Sequence, residues 1–178
     1  AVIPTSIPPR YNISPTQSIP VIPNSTEFRL DCDRWGLIPS WAKDVEIGQR
    51  MINARSETLT EKPSFSKAFK ERRCLILADG FYEWMVNPKS KSKTPYYIHM
   101  ISGAAFAFAG LWDMWKAPDG SRVHSCTIIT TAPNSLIAPI HNRMPVILTG
   151  EACERWLDSE DNDFNKLKKL LTSYPESD

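Results

Sequence analysis

The sequence predicts an α+β fold built on a mostly antiparallel sheet, with strands through the middle of the chain and helices at its end. Three observations carry this. Residues 74 to 131 contain successive apolar or alternating segments of strand length, punctuated by Asp79-Gly80, a polar stretch at 87–94 and Pro118-Asp119-Gly120. Helical periodicity is confined to 64–71, 150–157 and 163–171. The 178 residues, 42% hydrophobic, suffice for one domain with a substantial core, and no apolar run approaches the roughly 18 residues of a membrane span.

The elements follow in order. Pro4, Pro8, Pro9, Pro15, Pro20 and Pro23 break any helix over 1–24, which predicts extended chain laid over a core, with a strand at 19–22. Phe28, Leu30 and Cys32 alternate with Arg29, Asp31 and Asp33, a half-buried strand running toward Trp35-Gly36. Trp35 to Trp41 packs two tryptophans and a proline into one short segment, and a loop through Asp44 and Gly48 leads to Met51–Thr58. The helix at 64–71 places Phe65, Ala68 and Phe69 on one face.

Cys74–Ala78 is an unbroken apolar run, the pattern of a strand covered on both sides. After Asp79-Gly80 a second strand puts Phe81, Glu83 and Met85 on one face, and beyond the loop at 87–94, with Lys89, Lys91 and Lys93, Tyr96–Met100 returns. Residues 104–112 alternate sharply, with Phe106, Phe108 and Trp112 on one face and alanines on the other, so that one face fills a core and the other admits a close neighbour. Residues 123–131, rich in Val, Ile and Thr, form the next strand. A short helix is expected at 133–138 and a brief strand at 146–148. The last helix turns Phe164, Leu167, Leu170 and Leu171 inward.

Net charge is only +1, but the middle of the chain is basic and the last thirty or so residues acidic, a distribution compatible with a nucleic-acid footprint. Cys32, Cys74, Cys126 and Cys153 are widely separated with neither Cys-x-x-Cys nor a nearby His pair, which fits buried reduced thiols better than zinc or disulfides. No basic and apolar leader is evident, so an intracellular protein is expected.

Three polar groups interrupt apolar or turn sequence beside strand ends: Asn53 with Arg55, Glu83, and His141 with Arg143. Glu83 lies between two apolar neighbours on one face, a setting that penalises its charged form and suits it to proton transfer near neutral pH. An Asn donor, such a Glu and a His make a plausible acid/base set, although each taken singly also has a purely structural explanation. Trp35, Trp41 and Trp84 flank these groups, and exposed indoles beside arginines form a stacking platform for unpaired bases; core packing is the competing role, above all for Trp35. No phosphate loop, metal-ligand motif or nucleophile elbow occurs.

Arg10 to Pro15, Trp35 to Trp41, Ile52 to Thr58, Arg73 to Trp84, Ala109-Gly110-Leu111-Trp112 and Ile140 to Pro145, in that order, resemble the SRAP family of SOS-response-associated peptidase-like proteins. The resemblance implies a single α+β domain over 1–178 with a twisted, mostly antiparallel or mixed, partly barrel-like sheet. It also implies a groove for single-stranded DNA containing abasic sites, with no cofactor, no metal and a monomeric state. In that family an N-terminal cysteine cross-links to the abasic sugar as a thiazolidine. Asn53 matches the residue orienting the nucleophile, Glu83 the acid/base carboxylate and His141 the residue assisting ring opening. Arg55, Trp41, Pro15, Trp84 and Thr130 match DNA-contacting positions.

Where the family begins Met-Cys-Gly-Arg, this chain opens Ala1-Val2-Ile3-Pro4, and Pro63 follows Lys62 where relatives often carry a basic residue. The expectation is therefore a domain lacking its N-terminal catalytic segment and its closing C-terminal strand. Location would be cytoplasmic, with the nucleoid, in a bacterium and nuclear in a eukaryote. The competing functional classes are a noncovalent reader of single-stranded or junction DNA and an autoproteolytic peptidase.

Overall fold

The computed structural model describes residues 8–25 and 28–176; the opening Ala1–Pro4, read above as extended chain, lies outside them. Ten strands and three helices follow the chain: β1 Ser18–Pro23, β2 Asp31–Trp35, β3 Asn53–Arg55, α1 Pro63–Glu71, β4 Arg73–Ala78, β5 Phe81–Val86, β6 Lys93–Ile98, β7 Phe106–Lys116, β8 Arg122–Thr131, β9 Met144–Pro145, β10 Ile147–Leu148, α2 Glu151–Leu157 and α3 Phe164–Lys169. Strands β7, β4, β1, β2 and β8 pair in that order, and β8 pairs again with β7, which closes a five-stranded barrel. Closure removes the open edges of these strands. The fold class is the expected one, and the sheet is mixed: β8 runs parallel to both β2 and β3 and antiparallel to β7 and β9.

The alternation in β7 separates two cores. Phe106 and Phe108 enter the barrel with Ile19, Val21, Cys74, Ile76, Cys126 and Ile128. Ala107, Ala109 and Leu111 face outward and pack with Phe65, Ala68 and Phe69 of α1, Trp156 of α2 and Leu167 of α3, the two alanines admitting the helices closely. Within the barrel, Gly110 lies opposite Cys74, and a Cβ there would stand 2.9 Å from the Cys74 sulfur, so the interior has no room for a side chain at that register.

Arg73, at the start of β4, is fully buried. Its guanidinium donates to the carbonyls of Phe69 and Lys70 at the end of α1 and to those of Trp156 and Asp158 at the end of α2. One cation thereby donates to carbonyls that two helix C-termini leave without intrahelical partners.

Several expectations are corrected. The strand near residue 30 has the opposite face inward: Phe28 is 54% exposed and Cys32 exposed, while Asp33 is 3% exposed. The reason is register. Ile19 stands across from Asp33 and Val21 across from Asp31, and directly opposed residues share a face, so the β1 side chains that fill the barrel bring the aspartates in with them. Cys32 is thus not a buried thiol, whereas Cys74 and Cys126 are.

Residues 135–140 form consecutive hydrogen-bonded turns rather than a helix, with Pro133 and Pro139 limiting regular extension. The return strand begins at Lys93 instead of Tyr96, and β5 and β6 stand as their own two-stranded sheet. The strand expected at 146–148 divides into β9 on β8 and β10 on β7, since the chain crosses from one barrel strand to the other at Val146. Trp35 is partly buried and packs with the barrel core, its indole donating to the Ile52 carbonyl at 2.9 Å.

Candidate functional site

Glu83 sits on the inner face of the β5–β6 hairpin, flanked by Phe81 and Met85 and opposite Tyr96. Phe81 meets Phe108 of the barrel core edge-on, at 5.7 Å and 77°, which fixes the hairpin against the barrel. The Glu83 side chain is 21% exposed, and burial is the main reason its carboxyl is held above the usual carboxylate range; nearby His141 and the Trp84 backbone N–H pull the other way.

His141 comes from the turns that replace the expected helix. Ala138 N–H donates to the Asn134 carbonyl and His141 N–H to the Ile137 carbonyl, with Ile137 only 1% exposed beneath them. The Asn134 amide accepts from Ile137 N–H at 3.0 Å and donates to the Tyr174 carbonyl at 3.0 Å. This holds His141 Nδ1 3.7 Å from Glu83 Oε1.

The same ring nitrogen lies 3.0 Å from the Arg143 carbonyl and 3.2 Å from the Arg143 N–H. Protonated, Nδ1 donates to the carbonyl; deprotonated, it accepts from the N–H. Either tautomer is satisfied without movement of the ring, so the imidazole keeps its position beside Glu83 in both.

Arg143 anchors this corner. Its guanidinium grips Glu57 through both carboxylate oxygens, at 2.6 and 2.9 Å, and donates to the Thr130 carbonyl at 2.6 Å. The fork geometry is the strong bidentate type, and it lowers the Glu57 carboxyl below its ordinary range. Glu57 follows β3 directly, in a 3-10 turn over Ser56–Thr58. Its partnership with Arg143 was not foreseen from the sequence, because the two are 86 residues apart and neither carries a local pattern that names the other.

Asn53 and Arg55 are exposed on β3, either side of the buried Ala54 that seats the strand. Parallel pairing sets Asn53 beside Ile128 and Arg55 beside Thr130. Thr130 itself is 7% exposed, with its hydroxyl 3.4 Å from the Arg143 guanidinium. Among the described residues no hydrogen bond joins Asn53 to Glu83 or His141. Pro15 is exposed in a turn whose Thr16 N–H donates to the Trp35 carbonyl at 2.8 Å, and Trp35 in turn holds Ile52, the residue before Asn53.

The two exposed tryptophans are placed differently. Trp84, 49% exposed, lies on the hairpin face opposite Glu83. Trp41, 58% exposed, is held through its neighbours: Ser40 N–H donates to Asp113 at 2.9 Å, and the Ala42 carbonyl accepts from the Trp115 indole at 2.7 Å. Those anchors lie in the second half of β7, away from the Phe108 end against which the Glu83 hairpin packs. Among the described residues no group of three His, Cys, Asp or Glu side chains is gathered as metal ligands would be, and no helix is long and apolar enough to cross a membrane.

Comparison with known proteins gives concordant matches. The family model described as SOS response associated peptidase (SRAP) matches residues 2–178. Abasic site processing protein YoqW of Bacillus subtilis (strain 168) is 50% identical over 172 residues, covering 96% of this chain and 76% of the relative. Abasic site processing protein HMCES of Rattus norvegicus is 34% identical over 201 residues, covering 92% of this chain and 57% of that protein. Among solved structures, a protein from Bacteroides thetaiotaomicron superposes with a TM-score of 0.83 at 32% identity, over 90% of this chain and 71% of its own.

Proposed function

The chain belongs to the SRAP family, and from that membership together with the Glu83–His141 pair we propose that it processes abasic sites in single-stranded DNA. The observation that carries the reading is the pair itself: a carboxyl raised by burial, 3.7 Å from an imidazole that is satisfied in either tautomer. Its relatives named above are abasic site processing proteins, which supports the same substrate.

An abasic sugar is mostly a closed hemiacetal, and only its open form presents an aldehyde. His141 takes the proton from the anomeric hydroxyl as the ring opens, and the ring oxygen is protonated as it leaves. An amine then adds to the aldehyde carbon to give a carbinolamine. Glu83, whose carboxyl burial holds above the usual carboxylate range, donates to the carbinolamine hydroxyl, which departs as water and leaves an imine. When the amine belongs to an N-terminal cysteine, as the family resemblance implies, its thiol adds across the C=N bond and closes a thiazolidine, with one water lost in total. Cys32, Cys74, Cys126 and Cys153 have their nitrogens in peptide bonds, so none supplies both groups. Asn53 orients the nucleophile, and Arg55, Pro15, Trp84, Trp41 and Thr130 line the path of the strand, Thr130 through its carbonyl and Arg143 rather than through a free hydroxyl.

A noncovalent reader of single-stranded DNA is the second reading, favoured by the exposure of Arg55, Trp41 and Trp84. Matched oligonucleotides with and without an abasic site separate the two. A protein–DNA band that survives denaturation only with the abasic strand, on a polypeptide starting with cysteine, supports the first. Equal, salt-sensitive binding to both strands with no stable band supports the second, and self-cleavage without DNA would refute both.

A further inference from the structure

Among the described residues, half of the large apolar side chains left exposed lie on one hairpin. Tyr82, Trp84, Val86, Tyr96 and Tyr97 are between 38% and 50% exposed, and all belong to β5 or β6. The register sorts them. Tyr82, Trp84 and Val86 share the outer face with Tyr97, Pro95 and Lys93 directly across, whereas Glu83 and Tyr96 share the inner one.

The outer face is a built surface. Tyr82 and Tyr97 are in ring contact at 5.2 Å, and Tyr97 stacks on His99 at 5.2 Å and 26°. At the hairpin's base, a Cβ on Gly80 would fall 2.4 Å from the Tyr97 ring, so the absence of a side chain there is what lets Tyr97 lie flat. The face ends at a basic tip: Lys89, Lys91 and Lys93 are exposed, and among the described residues none makes an ion pair. Glu83 is the one carboxylate within 81–99, and it points to the other face.

Aromatic rings in a row beside unpaired lysines are complementary to unpaired bases on a phosphate backbone, since every base offers a π-face and every linkage a negative charge. We propose that the outer face of the β5–β6 hairpin, from His99 through Tyr97, Tyr82 and Trp84 to the lysine tip, is a stacking track for the single strand flanking the abasic nucleotide. Tyr82 to Val86 alone spans about 14 Å at the strand rise, room for about four stacked bases. The proposal rests on the reading of Glu83 and His141 given above, because it carries the strand from their side of the hairpin to the other. It adds an extended footprint to a site that acts on one nucleotide.

Fluorescence anisotropy with tetrahydrofuran-containing oligonucleotides tests it, using flanks of about two or about fifteen nucleotides on each side. Tyr82→Ala, and separately Lys89→Glu with Lys91→Glu in the tip loop, should each weaken the long oligonucleotide about ten-fold and leave the short one within about two-fold. Tyr82→Phe keeps the ring and should bind as the parent does. Equal losses on long and short strands, no loss on either, or Tyr82→Phe as weak as Tyr82→Ala would overturn the track; the tip pair decides the matter even if Tyr82→Ala fails to fold. Variants that turn a sedimenting dimer into a monomer with unchanged DNA affinity would assign the face to a second copy of the chain instead. Failure of a polypeptide starting with cysteine to form a denaturation-resistant adduct with a short strand carrying a true abasic sugar, which keeps the anomeric hydroxyl that tetrahydrofuran lacks, would refute the reading of the catalytic pair while leaving the track intact.

Discussion

Asp33→Asn should stabilise the protein at alkaline pH and erase part of its pH dependence. Asp33 is 3% exposed inside the barrel, and its carboxyl is raised from 3.8 to about 7, chiefly by burial and secondly by Asp31, with Arg29 opposing. The thiols of Cys74 and Cys126 are pushed up in the same interior and remain neutral beside it. Because the native state holds this proton more tightly than the unfolded chain, the group costs nothing below the unfolded value. The cost grows as pH rises and levels off above about 7, at about 4 kcal/mol. Between pH 5 and pH 8 the parent should therefore lose about 3 kcal/mol relative to Asp33→Asn, which has the same shape and no charge. Urea unfolding followed by tryptophan fluorescence at the two pH values measures this directly, with the slope m checked for constancy. Parallel stability–pH profiles for parent and variant, or a variant less stable at pH 8, would refute the reasoning.

Glu83→Gln should slow adduct formation with an abasic strand while leaving noncovalent affinity nearly unchanged, since it removes the proton and keeps the shape; single-turnover gels beside anisotropy read the two quantities. Arg55→Ala should weaken every oligonucleotide alike and reduce the salt slope by about one, whereas a loss confined to one base sequence would mean that Arg55 reads bases. Arg73→Met should cost about 3 kcal/mol or more in urea unfolding, because four helix-end carbonyls lose a charged donor, and a cost below about 1 kcal/mol would show that water or relaxation replaces it.

Much of this architecture was legible because it rests on local patterns. Phe65, Ala68 and Phe69 recur at helical spacing and are buried in α1, and Cys74 to Ile76 are buried on both faces as an unbroken apolar run requires. The two faces of β7 were distinct in the sequence and divide two cores in the fold. What the chain could not disclose depends on partners distant along it. Alternation at Phe28 to Asp33 gives a period without saying which face turns inward, and pairing with Ile19 and Val21 decided for the aspartates. The parallel pairing of β8 with β2 and β3 is likewise a fact of tertiary register. At the site, Glu83 was recognisable from its apolar neighbours, but its 3.7 Å approach to His141 and the grip of Arg143 on Glu57 arise only when three separated segments meet.

That meeting explains why the proposed acid/base pair, Glu83 and His141, is divided between two elements of such different kind. A two-stranded hairpin is marginal alone, so Glu83 keeps its place only while Phe81 is seated on Phe108 in the barrel core. His141 belongs to a chain of turns with no regular hydrogen-bond ladder. It is held instead by the buried Ile137, by the Asn134 bridge to Tyr174 and by Arg143 locked to Glu57 and Thr130. Each half is therefore fixed by side chains that reach other parts of the fold: Glu83 through the barrel interior, His141 through the β3–β8 side and the segment near residue 174. A site assembled this way leaves the backbone around Glu83 and His141 irregular and accessible while tying the two side chains to constrained parts of the molecule. The same division seats the hairpin on the barrel through its inner face alone, which leaves the aromatic rings of the outer face packed on one another and exposed.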